Sequence, residues 1–314
     1  MISLNEAIHL LKEGKSIGIP TETVYGLAAI ISSQKGIESI FKTKERPFFD
    51  PLIVHISSIE QAKKCVCHWP ESIDRLARFL WPGPVTFILP KSPLISDMIS
   101  SGLDTVGLRM PDHPLTLELI KLLGTPIAAP SANKFTRTSP TCYEHVKKEF
   151  PNLEVLDGGQ CSIGIESTIL GLNIEDKKLL IYRPGMLNKI KLENILDQLE
   201  ISDLTVSYQD SPVAPGHLKH HYMPKTPIIL CKRDTQVSEL PSHIPKNLLM
   251  SLKKWTLPKD PVIAARNLYS KFREYDLENH TAILIQISEE QRNSDQFVGI
   301  LNRLEKAATF KSFI

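Results

Sequence analysis

The chain has little net charge: 37 Lys and Arg stand against 35 Asp and Glu, leaving a formal +2 over 314 residues. A dedicated nucleic-acid binder carries a larger basic excess, so charge alone does not mark one here. Weak tRNA or other RNA contact through local basic clusters stays open. Long apolar runs are also missing. Nothing approaches the ~20 residues that span a bilayer, and the opening MISLNEAIHLLKEGKSIGIP lacks the unbroken apolar core of a secretory signal. Cysteine is scarce, five in scattered positions, which suits a reducing compartment better than a disulfide framework. These absences predict a cytoplasmic protein with no membrane partner. No GxxxxGK[ST] or GxGxxG loop, GxSxG elbow, HExxH pair or zinc-type cysteine spacing occurs either. Conventional phosphate cradles, serine hydrolases and metalloproteases therefore lack support.

What is present reads as two α/β units. A chain of this length fits two domains, and 42% hydrophobic with 23% charged residues is ordinary for packed proteins. Ser3 and Glu6 form a capping box ahead of an apolar stripe at Leu4, Ala7, Ile8 and Leu11, and Gly14 ends that helix. A short strand follows at 16–19. Helical stripes recur at Ile73, Leu76, Ala77, Leu80 and at Leu115, Leu119, Leu122. Strand-like runs fall at 52–56, 85–89, 106–110, 127–129, 168–172 and 179–182. Strands interleaved with helices predict an α/β domain over residues 1–201. From 202 to 227 the periodicity fails, and SPVAPGHLKHHYMPKTP holds four prolines and five basic or His residues. That composition is too specific for a plain spacer. A smaller α/β pattern occupies 228–314, with strands at 228–231 and 282–287 and helices at 262–275 and 297–308.

Five stretches crowd polar residues beside Gly or Pro at strand ends, where α/β folds place ligand-contacting loops. They are PTETVYGLAA (20–29), KTKERPFFDPLIVH (42–55), TVGLRMPDHP (105–114), APSANKFTRTSPT (129–141), and GIESTILGL (164–172) with YRPGML (182–187). Singly each has a bland reading: Thr21 and Thr23 as turn or cap residues, Ser131 and Asn133 as loop, Lys44 and Arg46 as solvated charge. Arg109 and Arg183 resist that reading, because each ends an apolar strand and needs a partner or water there. Together the set describes a site for anions without a covalent nucleophile.

These stretches, with WPGPVT (81–86), resemble in order and spacing the YrdC-like domain of threonylcarbamoyl-adenylate synthases, and the linker and tail resemble the long, two-domain form of that family. The resemblance implies an α/β fold with a YrdC-like twisted mixed sheet plus a smaller Rossmann-like α/β domain. It implies that ATP, L-threonine and bicarbonate give threonylcarbamoyl-AMP and pyrophosphate, feeding threonylcarbamoyladenosine formation by a downstream tRNA threonylcarbamoyl-transfer complex. Lys44 and Arg46 would be the catalytic cations. Thr23 (or Thr21, two residues away), His55, Arg109, Ser131 and Ser167 would surround threonine, with Arg109 on its carboxylate. Lys44, Arg46, Asp50, Thr105, Asn133, Thr141, Arg183, His221 and Tyr222 would meet ATP. The linker would fold over the nucleotide with Lys219, His221 and Tyr222. Mg2+ would accompany ATP, with no metal or organic cofactor held by the protein itself. His217, His220 and His221 lack a nearby Cys or acidic ligand, and Cys65, Cys67 and His68 read as a helix end.

Asp50 stands where the family commonly has Asn, and it is expected to pair with Lys44 or Arg46. The loop after Asn133 lacks the usual Ser-Gly. Two other functions compete. A non-catalytic RNA-binding YrdC-like module would have lost the cations retained here. Carbamoyl transfer in hydrogenase maturation would require an acylphosphatase-like region and zinc-finger cysteines.

Overall fold

The architecture, a computed structural model, is described for residues 1–209 and 221–312. Lys219, His217 and His220 therefore lie outside the described residues. The first helix forms as its cap requires, over Leu4–Lys12, with the Ser3 and Glu6 capping box closed and Gly14 beyond its end at φ +75°.

Nine strands form the large sheet: β1 (Ile17–Ile19), β2 (Gly26–Ile30), β3 (Ile53–His55), β4 (Val85–Pro90), β5 (Thr105–Arg109), β6 (Ile127–Ala128), β7 (Thr168–Asn173), β8 (Lys178–Arg183) and β9 (Thr205–Tyr208). Their order is β1-β2-β6-β3-β5-β4-β7-β8-β9, and the sheet is mixed, with β3/β5, β4/β7 and β8/β9 parallel. In β2, alternate residues serve opposite faces. Leu27 and Ala29 join the main core, whereas Ala28 and Ile30 join a second core with helices Leu4–Lys12 and Pro114–Leu123.

The small sheet is wholly parallel, as a Rossmann-like unit requires. Its order is β11 (Leu252–Thr256), β12 (Ala282–Ile287), β10 (Ile228–Lys232) and β13 (Phe310–Ser312). Helices Pro261–Tyr275 and Val298–Ala307 pack on it through Leu268, Phe272, Ile300 and Leu304. The sequence predicts that regular structure stops at 202, yet β9 extends the large sheet past that point. Only Val206 of β9 is buried, too short a pattern to read as a strand.

The small-domain core does not end at its own sheet. Val24 and Ile165 of the large domain, and Tyr222 of the linker, belong to it. Gly299 sits so close to Gly185 that a Cβ there would lie 2.8 Å from the Gly185 carbonyl carbon. Gly299→Ala is expected to cost about 1–3 kcal/mol, the usual penalty of overpacking, read as a lower denaturant midpoint; an unchanged midpoint would mean that the helix moves away freely.

Candidate active site

Sheet register assembles the cationic rim. His55 pairs with Arg109, Thr86 with Ile169, and Ile169 with Arg183, while Phe87 opposite Leu108 brings Thr86 alongside Arg109. One row across β3, β5, β4, β7 and β8 therefore ends at the same rim. Arg109 and Arg183 stand three strands apart, roughly 14 Å at the usual strand spacing. Thr105 lies at the other end of β5, opposite Pro90, so it cannot share this rim.

A cavity of about 60 Å³ opens there, and Thr23, Arg46, Asp50, His55, Arg109 and Ser131 line it. Ser167, Arg183, His221 and Tyr222 complete its wall, with Thr21 and Glu166. The expected threonine residues are thus all present, and Thr21 and Thr23 both contribute, their hydroxyls 2.9 Å apart. Lys44, Asn133 and Thr141 do not line the cavity. Lys44 is buried behind it, Nζ donating to the carbonyls of Ser131 (2.5 Å) and Asn133 (2.6 Å), so it braces that loop. Asn133 donates to the carbonyls of Lys134 and Arg137, which shapes the loop that lacks Ser-Gly. Thr141 faces the small domain, 3.0 Å from the Ser270 hydroxyl.

Each arginine of the cavity has an acidic neighbour. Arg46 and Asp50 form a buried ion pair at 2.8 Å, and Arg46 also donates to the carbonyls of Asp50 and Pro51. Asp50 thus pairs with Arg46 of the two expected candidates. Arg109 and Glu22 are 2.7 Å apart, close but not aligned as a hydrogen bond, and Arg109 Nε donates to Gly83 O of the WPGP turn. Arg183 donates to the Ser167 carbonyl and hydroxyl, and that hydroxyl also meets Thr86. Glu166 is held by Ser139, Tyr269 and Arg303.

Among the described residues, several of the buried polar atoms without a hydrogen-bond partner belong to the cavity or to the ion pairs of its arginines: both carboxylate oxygens of Glu22 and of Asp50, Arg109 Nη2, His221 Nδ1 and the Tyr222 hydroxyl. Where no ion pair compensates, as at His221 Nδ1 and the Tyr222 hydroxyl, such an atom costs about 1–3 kcal/mol, a burden that concentrates where a ligand supplies the missing partner. No group of three or more His, Cys, Asp or Glu among the described residues is placed to hold a metal. Among those residues no helix is long and apolar enough to cross a membrane.

Burial sets the protonation states. Loss of water, reinforced by Arg109, pushes His55 down to about 3, and burial likewise holds His221 at about 3. Burial lowers Lys44 well below its ordinary value, with Arg46 adding to the effect. Both histidines are neutral in the folded protein but take a proton near 6.5 once unfolded. Their contribution to stability is therefore complete above about 6.5 and drains away as pH falls toward 3. Denaturant midpoints should decline across that window, and His55→Phe should lessen the slope. A flat profile between 6.5 and 3 would contradict the burial of the two rings.

Comparison with known proteins decides the family. A family model described as "Telomere recombination" matches residues 9–185, and one described as "Threonylcarbamoyl-AMP synthase, C-terminal domain" matches residues 187–309. The threonylcarbamoyl-AMP synthase of Pyrococcus abyssi is 35% identical over 97% of this chain and 94% of its own length. The chain belongs to the threonylcarbamoyl-AMP synthase family. That of Bacillus subtilis is 39% identical over 72% of this chain and 66% of its own length. The fold agrees as well: a crystal structure of the P. abyssi relative complexed with L-threonine superposes with a TM-score of 0.85 at 32% identity, covering 99% of this chain and 96% of that one.

Within the family frame, sequence reasoning missed four contributors: Glu22, Thr86, Glu166 and Arg303. Glu22 and Glu166 had a usable signal, since PTETV and GIEST each place one acid among hydroxyls beside a cationic strand end. Arg303 had none, as one charge on an amphipathic helix reads as surface.

Proposed function

We propose that the chain is an L-threonylcarbamoyladenylate synthase, converting ATP, L-threonine and bicarbonate to threonylcarbamoyl-AMP and pyrophosphate. The observation that carries this reading is one cavity lined by Arg109 and neutral His55, paired across adjacent strands, together with Arg46 and Arg183. Arg109 holds the threonine carboxylate, with Thr23, Ser131 and Ser167 around the rest of the amino acid. If His55 Nδ1 donates to the Ile53 carbonyl 3.3 Å away, Nε2 presents a lone pair to the threonine nitrogen.

Bicarbonate loses hydroxide to give carbon dioxide, the amine of threonine adds to that carbon and loses a proton, and the hydroxide and proton leave together as water, giving a carbamate. A carbamate oxygen then attacks the α-phosphorus of ATP, the bond to the bridging oxygen breaks, and pyrophosphate leaves. The substrate supplies the nucleophile. The protein aligns the partners and spreads charge through Arg46 and Arg183, with Lys44 holding the Ser131–Asn133 backbone in place. Mg2+ enters with ATP as part of the substrate. His221 and Tyr222 form part of the cavity wall, and with the nucleotide bound they would exclude water from a hydrolysable mixed anhydride. The product goes to a tRNA-modifying partner in the cytoplasm.

The test is pyrophosphate release by the full chain. Release that requires ATP, threonine and bicarbonate together is expected. A protein that retains tRNA and releases none would belong to the binding-module reading instead.

A further inference from the structure

Glu166 poses a physical problem for a cavity that takes a triphosphate. Its carboxylate is buried and lines the same hollow as Arg46 and Arg183, where an uncompensated negative charge would repel the nucleotide. The compensation comes from the other domain. Arg303, fully buried on helix Val298–Ala307, donates Nε to Glu166 Oε2 at 2.9 Å and Nη2 to the Glu166 carbonyl at 3.2 Å. Tyr269, on helix Pro261–Tyr275, donates its hydroxyl to the same Oε2 at 2.9 Å, and Ser139 donates to Oε1 at 2.6 Å. Burial alone would raise the Glu166 pKa, yet Arg303, then Arg183 and the Ser139 bond outweigh it and bring it down to about 2.

The same guanidinium does two more things. It lies 5.3 Å over the ring of Tyr222, and it donates Nη1 to the Pro184 carbonyl of the RPG turn that follows Arg183. Tyr222 in turn stacks on Tyr269 with centroids 5.8 Å apart. The two domains meet here without room for side chains. Gly164, at φ +88°, would place a Cβ 2.6 Å from the Arg266 backbone, and Gly299 abuts Gly185.

We propose that the small domain completes the nucleotide site: Arg303 and Tyr269 are positioning residues that neutralise and hold Glu166 and seat Tyr222, so that the cavity accepts a triphosphate. The inference rests on the reading of the cavity as a nucleotide site. It assigns the tail domain a share in the site itself rather than a tethering role.

The experiment uses the full chain and four variants: Arg303→Met, Tyr269→Phe, Glu166→Gln and the double variant Arg303→Met/Glu166→Gln. Affinity for a non-hydrolysable ATP analogue and for threonine is measured by titration, with melting curves and pyrophosphate release alongside. Arg303→Met is expected to weaken the analogue about 10- to 100-fold, the effect of one unpaired buried charge, while threonine changes less than about threefold. Tyr269→Phe should weaken the analogue about 3- to 10-fold, as loss of a single hydrogen bond does. Converting Glu166 to the neutral amide should restore the double variant to within about threefold of the parent, because no charge is left to compensate. A double variant bound no better than Arg303→Met overturns the charge compensation that the proposal assigns to Arg303, leaving only its contacts with Tyr222 and the Pro184 carbonyl, and unchanged analogue affinity in Arg303→Met overturns the proposal outright. Should Arg303→Met not fold, an unaltered affinity in a well-folded Tyr269→Phe overturns it equally. A parent that binds the analogue but releases no pyrophosphate would sink the synthase reading while leaving this comparison intact; a parent that binds no analogue sinks both.

Discussion

Arg109→Ala is expected to raise the KM for threonine about 10- to 150-fold, the factor that a charge-assisted contact of ~1.5–3 kcal/mol represents. The KM for ATP should move by less than about threefold, because Arg109 stands three strands from Arg183 and its contacts, Glu22 and the Gly83 carbonyl, are none of the groups assigned to phosphate. The substitution has a second consequence. Glu22 sits 2.7 Å from Arg109 with only 5% of its side chain exposed, and removing the cation strands a buried carboxylate. Breaking such a pair costs about 3–5 kcal/mol of stability. Arg109→Ala should therefore melt early, and Arg109→Ala/Glu22→Gln should recover the melting temperature without recovering the threonine KM. Equal rises in both Michaelis constants would show that Arg109 supports the cavity as a whole and does not grip the carboxylate.

The pairing of Arg109 with Glu22 also explains how the site exists before substrate arrives. Guanidinium groups buried without counter-charge would be costly. Here Arg46 has Asp50, Arg109 has Glu22, and Glu166 answers Arg303 with Arg183 nearby. The carboxylates of Glu22 and Asp50 keep buried oxygens without hydrogen bonds, so their hold on the arginines is incomplete. A substrate carboxylate or phosphate with aligned lone pairs competes for those donors on favourable terms.

Much of this was legible in the residues, and what was missed has physical causes. Strands with β-branched cores, such as Val85–Pro90 and Ala282–Ile287, announce themselves. β2 did not, because GLAAI is made of small residues with weak strand preference, and only its complete burial between two helical layers makes it a strand. In β11, two lysines in LKKWT masked an edge strand that buries only Trp255. Within the site, residues at strand ends were predictable, since Arg109 and Arg183 close apolar runs that must stop near a polar partner. Lys44 and Thr141 were singled out as ATP-contacting members of a motif, but motif membership does not say which way a side chain faces. Lys44 turned inward to cap the carbonyls of its neighbouring loop, and Thr141 turned toward Ser270. Interdomain partners such as Arg303 follow from tertiary packing alone, which no local pattern encodes.

The Arg46–Asp50 pair yields the second large effect, with opposite signs for its two members. Arg46 is fixed by its own loop: Nε on the Asp50 carbonyl at 3.2 Å, Nη2 on the Pro51 carbonyl at 2.9 Å and beside the Asp50 carboxylate. Those contacts engage Nε and Nη2, so the proposed grip on a phosphate oxygen falls to Nη1, which carries two of the five N–H donors. Arg46→Met should raise the ATP KM about 10- to 100-fold and leave threonine nearly untouched. Asp50→Asn removes the competing negative charge while the backbone carbonyls still orient the guanidinium, so the ATP KM should fall, by about three- to tenfold, the effect of relieving one partly screened like charge. Steady-state pyrophosphate release by Asp50→Asn and Asp50→Ala separates the causes, because both variants lose the charge and only the amide keeps a polar side chain against the guanidinium. If Asp50→Asn and Asp50→Ala instead both raise the ATP KM, Asp50 aims Arg46 rather than competing for it, and the acid would count as part of the phosphate grip.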